Sequence, residues 1–166
     1  MLPAVRFLVA AALAALAVTV SAQAAPAACN LATAKAAIRS THLKMKLLGD
    51  SVTKVDPSSA DQVICFDFTR DGRQDIAVTI ASGGTAGDIG FAVFRATPDG
   101  WKVALARGGY KVGLFRVGGD LVSSQPIYKA NDPNCCPTGG FDHQRFRWSG
   151  TRFVVARSYH SKSYKP

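Results

Sequence analysis

From Gln62 onwards, short runs of β-branched and aromatic residues are separated by turn residues at intervals of about 8–12 residues. The predicted strands are Val63–Phe68, Ile76–Ala81, Phe91–Thr97, Trp101–Ala106, Lys111–Val117, Leu121–Tyr128, Phe141–Trp148 and Arg152–Arg157. Because the connections contain Asp-Gly, Gly-Gly or Ser-Gly and are short, neighbouring strands are expected to be antiparallel. No connection is long and periodic enough for a crossover helix.

A different pattern precedes the strands. Apolar positions with a roughly helical period predict one helix: Leu31, Ala34, Ile38 and Met45. Asn30 is suited to cap its N-terminus, and alternation over residues 42–47 indicates that it ends near Thr41. A stripe of basic residues on this helix is interpreted as a solvated face: Lys35, Arg39, His42 and Lys46. The predicted fold is α+β, with one N-terminal helix packed on a mainly antiparallel β-sheet or half-open barrel and stapled by disulfides.

The first 24 residues have the pattern of a signal peptide. Arg6 precedes the apolar run Phe7–Val20, and Ala22-Gln23-Ala24 fits the small-x-small rule of signal peptidase. The run is shorter than the about 20 residues of a membrane-spanning helix. We predict a signal peptide at 1–24, a single domain at 25–158 and a flexible basic tail at 159–166. The mature protein is expected to be periplasmic or secreted, without a transmembrane segment.

Composition and charge narrow the possible functions. The chain has 20 Lys and Arg residues against 11 acidic residues, a formal net charge of +9. Every acidic residue is Asp, which favours caps, turns and ion-binding loops over exposed helix faces. A largely helical bundle and a catalytic Glu are therefore excluded. Outside the cytoplasm, the positive charge predicts contact with anionic envelope polymers or a protein partner rather than nucleic acid.

The four cysteines are predicted to form two disulfides, because export exposes them to an oxidising compartment. Cys29, Cys65, Cys135 and Cys136 allow three connectivities. We favour Cys29–Cys65, which leaves a vicinal Cys135–Cys136 pair in a turn-rich loop. The alternatives send the adjacent cysteines to separate partners. Neither a CxxC nor an HxxxH spacing is present. The cysteines are therefore predicted to be structural, and not part of a metal site or a thiol-exchange site.

The segment Asp67-Phe-Thr-Arg-Asp-Gly-Arg-Gln-Asp75 is the most specific motif. Its oxygen ligands could converge on a hard cation such as calcium: the side chains of Asp67, Thr69, Asp71 and Asp75 and the carbonyl of Arg73. Between two predicted strands it resembles the calcium loop of FG-GAP or VCBS-type repeats, over about residues 65–105. This resemblance implies a calcium-binding hairpin. The alternative is a turn whose Asp side chains cap backbone N–H groups and pair with Arg.

A second candidate surface lies between residues 141 and 157. A two-residue turn at Ser149-Gly150 would place Arg147 opposite Arg152 and Phe146 opposite Phe153. One face would then be apolar, with Phe146, Trp148, Phe153 and Val155. The other would form an anion-binding or partner-binding patch from His143, Arg145, Arg147 and Arg152. The alternative is the wet face of an edge hairpin, charged to block strand addition.

The segment from Gly118 to Val154 resembles the C-terminal part of LppP/LprE-type exported proteins, which implies no particular activity. No catalytic residue is assigned. We expect a non-catalytic exported binding module, stabilised by calcium, that contacts anionic envelope polymers or a protein partner. One alternative is an inhibitor of a secreted or envelope hydrolase that inserts the Asp132–Gly140 loop into the active site. Another is a metal-dependent hydrolase built on Asp67, Asp71 and Asp75.

Overall fold

The computed structural model describes residues 28–166, so the predicted signal peptide at 1–24 lies outside the described residues. One α-helix, α1, spans Leu31–Ser40, and a 3-10 turn lies at Pro57–Ser59. The ten strands are β1 Lys44–Lys46, β2 Val52–Lys54, β3 Ala60–Phe66, β4 Asp75–Ala81, β5 Asp88–Thr97, β6 Gly100–Gly108, β7 Gly113–Val117, β8 Asp120–Pro126, β9 Phe141–Trp148 and β10 Phe153–Ser161. Over residues 28–166, no helix combines the length and apolar character needed to cross a membrane.

The strand pairings are antiparallel and confirm the predicted α+β class. The eight predicted strands correspond to β3–β10, while β1 and β2 form an additional hairpin. The strands do not form one sheet. They form two four-stranded sheets, in the orders β3-β4-β5-β6 and β10-β9-β8-β7, and the separate pair β1-β2.

The helix begins and ends as the sequence predicts. The Asn30 side chain accepts a hydrogen bond from the Thr33 backbone N–H at 2.9 Å, and Thr41 is the C-cap. Alanine favours the helix between these caps. The alternation after Thr41 becomes β1, in which Met45 is buried between the exposed Lys44 and Lys46.

The central strand β4 of the first sheet is buried on both faces. Every residue of β4 from Asp75 to Ile80 is buried, which matches its nearly unbroken run of apolar and small residues. On one face, Ile76, Val78 and Ile80 share a cluster with buried residues of α1 and of the β1-β2 segment. Because successive strand residues point to opposite faces, Ala77 belongs to a second cluster.

The second cluster joins the two four-stranded sheets. The first sheet contributes Phe91 and Val93 from β5, and the second contributes Leu121 and Phe146 from β8 and β9. The rings of Phe91 and Phe146 lie 5.6 Å apart between centroids. Burying a large apolar side chain contributes about 1.5–3 kcal/mol, so this shared cluster is a main source of stability.

The packed fold extends beyond residue 158, the predicted end of the domain. Strand β10 continues to Ser161, and the Tyr164 ring lies 5.3 Å from Phe115 and 5.4 Å from Phe141 between centroids. These aromatic contacts hold part of the segment that we predicted to be a flexible tail.

Both favoured disulfides are present. Cys29, just before α1, is bonded to Cys65 in β3, and their Cα atoms are 5.9 Å apart. Cys135 is bonded to its neighbour Cys136. No cysteine among residues 28–166 is free. The first bond therefore ties the start of the helix to the first sheet, and the second stays within one loop.

Replacing Cys29 and Cys65 by Ser should lower the free energy of unfolding by about 3–4 kcal/mol, because the bond closes a long loop of the unfolded chain. Urea denaturation of the oxidised protein, followed by circular dichroism, measures this loss. The matched control is the double variant Cys135→Ser with Cys136→Ser. It should lower the free energy of unfolding by only about 1 kcal/mol, because the Cys135–Cys136 bond closes a minimal loop. Equal losses in the two variants would contradict the assignment of Cys29–Cys65 as the main staple.

Candidate anion-binding surface and acidic loop

The acidic loop connects β3 to β4 and closes on the carboxylate of Asp67. Its Oδ1 accepts a hydrogen bond from the Asp71 N–H at 3.0 Å, and its Oδ2 accepts one from the Gly72 N–H at 2.8 Å. Arg70 and Gly72 adopt positive φ angles of 57° and 81°. Glycine tolerates this conformation without steric cost, which allows the sharp turn. Asp67 thus caps the backbone of its own loop.

Asp75 anchors the other end of the loop. It is fully buried, and its Oδ2 accepts a hydrogen bond from the Thr69 N–H at 2.8 Å. Its Oδ1 accepts one from the Ala96 N–H at 3.1 Å, which ties the loop to the end of β5. Burial raises the pKa of Asp75, and these two backbone donors oppose the rise.

Asp71 connects the loop to a neighbouring strand. Its Oδ1 accepts a hydrogen bond from the Arg73 N–H at 3.0 Å, while Arg95 donates to Oδ2 from Nε at 3.1 Å and Nη2 at 2.9 Å. The Arg73 guanidinium also lies 3.8 Å from Oδ2. Arg95 Cζ is 5.7 Å from the centroid of the Trp148 ring, a cation–π contact that reaches the second sheet.

The carboxylates of the acidic loop are engaged within the protein, as in the predicted alternative of a capping turn that pairs with Arg. All six carboxylate oxygens of Asp67, Asp71 and Asp75 accept at least one N–H hydrogen bond. The Arg95 guanidinium forms an ion pair with the carboxylate of Asp71. In residues 28–166, no three acidic, His or Cys side chains form a metal-holding group. The Thr69 hydroxyl is buried near the Asp75 carboxylate and opposes the rise of the pKa of Asp75.

The predicted register of the β9-β10 hairpin is wrong. Phe153 pairs with Trp148 and Val154 with Arg147, so the connection has four residues instead of two. The Ser149 N–H and hydroxyl both donate to the Arg152 carbonyl, at 2.9 and 2.8 Å, which stabilises this longer turn. Arg152 therefore lies in the turn and not opposite Arg147. Because the register shifts by two residues, the strand residues Phe146, Trp148 and Phe153 keep their predicted common face.

The four residues of the predicted basic patch do not form one exposed basic surface. Asp120 is 2% exposed, and it accepts a 2.6 Å hydrogen bond from Arg145 Nε and a 2.8 Å bond from Arg147 Nη2. These bonds, first from Arg147 and then from Arg145, lower the pKa of Asp120. His143 is fully buried, with Nδ1 2.6 Å from Ser124 Oγ. The apolar face departs from expectation at Val155, which is 43% exposed beside an irregularity in the edge strand β10.

A basic surface that the sequence analysis missed lies on the β1-β2 hairpin. Lys44 in β1 is directly paired with Lys54 in β2, and both are exposed. Lys46 lies on the same side of β1 as Lys44. A cleft of about 400 Å³ runs between residues 44–47 and residues 106–108, which adds Arg107. We use the name lysine cleft for its three lining cations, Lys44, Lys46 and Arg107, together with Lys54, which does not line the cleft but pairs with Lys44.

The charges of the lysine cleft are not balanced by ion pairs. Within residues 28–166, none of its four cations has a carboxylate oxygen within 4 Å. The pKa of Asp56 is lowered mainly by hydrogen bonds from Ser58, and the charge of Lys54 adds to the effect. Like charges directly opposite each other across two strands destabilise the pair. The hairpin therefore keeps a like-charge contact that an anionic ligand would relieve.

The position of the cleft depends on a close backbone approach. A Cβ atom on Gly108 would collide with the carbonyl groups of Lys46 and Leu47. Glycine at this position lets the hairpin lie against the end of β6. In the sequence, the alternation Lys44-Met45-Lys46 indicates a strand with two exposed lysines. The prediction instead assigned Lys46 to a basic stripe on the helix.

No protein-family model, curated protein or solved structure matches this chain. The resemblance of residues 65–105 to FG-GAP or VCBS-type repeats and that of residues 118–154 to LppP/LprE-type proteins stay predictions.

Asp120→Asn should lower the free energy of unfolding at pH 7 by about 1–2 kcal/mol, because Arg145 and Arg147 lose their anionic partner. The lowered pKa of Asp120 means that its contribution is complete above the unfolded-state pKa of about 3.9. The contribution is lost as the pH falls through the folded-state pKa, so the two stability curves should converge in acid. Urea denaturation as a function of pH tests this. Asp99→Asn, in the exposed turn before β6, is the control and should change little. A constant difference that persists in strong acid would contradict the ionic role.

Proposed function

We propose that this protein is an exported, non-catalytic binding module that contacts an anionic polymer of the cell envelope through the lysine cleft. The observation that supports this most directly is the cross-strand pair of Lys44 and Lys54, exposed and without an ion-pair partner among the described residues. A protein does not gain stability from opposed lysines. Binding of a polyanion would offset the repulsion and release counterions.

The shape of the surface favours an extended ligand. Lys44 and Lys46 are two residues apart on one strand, which places their Cα atoms about 6.8 Å apart along the hairpin. Arg107 lies across the cleft from them. A row of cations with apolar Met45 and Leu47 beneath it suits a chain with repeated phosphate or carboxylate groups better than a single small anion.

The disulfides support the exported part of the proposal. All four cysteines are paired, and such bonds persist in oxidising compartments rather than in a reducing cytosol. The two buried clusters also support a finer view of the fold, in which α1 is packed on the first sheet and the sheets curve towards a half-open barrel.

The polymer-binding proposal is tested with a charge-matched pair of variants. Lys44→Gln/Lys46→Gln/Lys54→Gln should weaken binding to immobilised polyphosphate or polygalacturonate at least tenfold. It should also reduce the slope of log K against log salt concentration by about 2–3, since each phosphate contact contributes about 0.7–0.9. The control, Lys129→Gln/Lys162→Gln/Lys165→Gln, removes the same charge from exposed positions outside the cleft and should reduce the slope by less than about 1.

Equal weakening by the two triple variants would assign binding to net charge and contradict the proposed site. Absence of binding by the unmodified protein to both polymers would contradict the proposed ligand class. A stability measurement provides an internal check: Lys54→Gln should raise the free energy of unfolding slightly, by about 0.2–1 kcal/mol, because the like-charge pair is removed.

We also propose, separately, that the acidic loop binds calcium after Arg95 leaves Asp71. This proposal is supported by the three Asp side chains that the loop carries, of which Asp67 and Asp71 are joined through its backbone. Titration calorimetry should detect binding at submillimolar to millimolar calcium, as in extracellular modules. Arg95→Ala should bind more tightly, since it removes the competing cation, and Asp67→Asn should not bind. Absence of heat with both the unmodified protein and Arg95→Ala would reject calcium.

An inhibitor of an envelope hydrolase remains the alternative proposal. The Asp132–Gly140 loop supports it, because residues 133–136 and 138 are exposed while Asp132 accepts three hydrogen bonds that hold the shape of the loop. Stoichiometric loss of one hydrolase activity, unaffected by the lysine triple variant, would favour inhibition over polymer binding.

A further inference from the structure

The vicinal disulfide lies at an exposed position of the loop between β8 and β9. Both Cys135 and Cys136 are exposed. Because they are adjacent and joined by a trans peptide, their Cα atoms are only 3.8 Å apart. Unconstrained disulfides have Cα separations of about 4.4–6.8 Å, and departure from this range makes a disulfide easier to reduce. Exposure and adjacency thus both favour attack by an external thiolate.

The loop has a framework that does not depend on the sulfur atoms. Asn134, the residue before Cys135, accepts three hydrogen bonds. Tyr110 Oη donates to its Oδ1 at 2.5 Å and Tyr128 Oη to its carbonyl at 2.7 Å, and Lys111 Nζ also donates to the carbonyl. These contacts would hold the backbone in place while the disulfide is open, so the two thiols would stay close enough to close again.

A second set of bonds holds the base of the loop. The carboxylate of Asp132 accepts hydrogen bonds from the Lys129 N–H at 2.8 Å, the Thr138 N–H at 2.7 Å and the Thr138 hydroxyl at 2.7 Å. The bond from the Thr138 N–H is the largest cause of the lowered pKa of Asp132, followed by that from Lys129. The Cys136 N–H also donates to the Pro133 carbonyl at 2.9 Å.

Lys111 places a positive charge beside the loop. The Lys111 ammonium is bonded to the carbonyl directly before Cys135, and it also lies 5.6 and 5.4 Å from the ring centroids of Tyr110 and Tyr128. A nearby lysine stabilises a cysteine thiolate and lowers its pKa. The leaving sulfur of an opened disulfide would therefore depart more readily.

The other disulfide has a contrasting environment. Cys29–Cys65 has an ordinary Cα separation of 5.9 Å and joins residues 36 apart in sequence. Cys65 is half-buried in β3 and packs against the cluster that contains residues of α1. Opening this bond would release a long loop, so it is expected to resist reduction in the folded protein.

We propose that Cys135–Cys136 is a thiol–disulfide exchange site that accepts two electrons from external thiols while Cys29–Cys65 stays closed. One external thiolate attacks a sulfur atom, forms a mixed disulfide and releases the other cysteine as a thiolate. A second external thiol then attacks the mixed disulfide. Overall, two thiols become one external disulfide, and Cys135 and Cys136 each gain one electron and one proton. This activity requires neither the lysine cleft nor the acidic loop.

The test is equilibration of the full oxidised protein in graded glutathione buffers, followed by acid quenching, alkylation and peptide mass mapping. We expect two alkyl groups on Cys135 and Cys136 under conditions in which Cys29 and Cys65 have none, with unchanged near-ultraviolet circular dichroism. Reduction of Cys29–Cys65 first, reduction of both pairs together, or reduction only in denaturant would overturn the proposal.

Two variants test the chemistry of the site. Cys136→Ser leaves the Cys135 thiol and should accumulate a mixed disulfide when oxidised glutathione is added. In this background, Lys111→Gln should shift the pH profile of Cys135 alkylation to higher pH, whereas the exposed control Lys102→Gln should not. An unchanged profile in the Lys111 variant would remove the role of that lysine, and failure to form the mixed disulfide would overturn the exchange site.

The source of the external thiol is distinguished by offering the oxidised protein glutathione or a cysteine-containing unfolded peptide at equal thiol concentration. Faster reaction with glutathione assigns the site to small thiols, and faster reaction with the peptide assigns it to protein thiols. Reaction with neither overturns the proposal.

Discussion

Strand β4 of the first sheet is buried on both faces, and this constraint shapes the rest of the molecule. In β4, Ile76, Val78 and Ile80 pack towards the cluster that includes α1, while Ala77 packs towards the second sheet. Polar groups at the ends of such a strand must find partners within the protein, because unpaired buried groups are costly. The buried carboxylate of Asp75 meets this requirement at the start of β4, where it accepts N–H groups from both the acidic loop and β5.

The same requirement explains how the acidic residues are distributed. An Asp side chain is short enough to reach backbone N–H groups of its own loop, and five of them accept such bonds: Asp56, Asp67, Asp71, Asp75 and Asp132. Asp120 instead neutralises part of the charge on Arg145 and Arg147. With 11 acidic residues against 20 basic ones, few carboxylates remain for the exposed lysines. None of these engaged carboxylates lies within 4 Å of the ammonium groups of Lys44, Lys46 or Lys54.

Local patterns predicted the elements well, and contacts distant in sequence decided the sites. Strands β3–β10 and the cap at Asn30 follow from turn residues, alternation and a short polar side chain, which act over a few positions. The register of β9 and β10 depends on whether the turn takes two or four residues, a choice made by hydrogen bonds between Ser149 and Arg152. The ion pairs of Asp120 join it to Arg145 and Arg147, which are 25 and 27 residues away in sequence, so no local pattern predicts them. The sequence around Gly108 also does not show that the backbone of Lys46 and Leu47, about 60 residues earlier, packs against it.

One short segment connects the lysine cleft, which is the proposed binding site, with the Cys135–Cys136 loop, which is the proposed exchange site. Arg107 and Gly108 border the lysine cleft at the end of β6, and Tyr110 and Lys111 follow at once to hold the vicinal disulfide loop. A polyanion in the cleft would lower the local positive potential, and Lys111 is the cation most directly concerned because it is bonded next to Cys135. Yet Lys44, Lys46 and Lys54 lie outside this segment, as do Cys135 and Cys136. Changes at those positions therefore separate the two properties, whereas a change at Arg107 or Gly108 would alter the cleft and the support of the loop together.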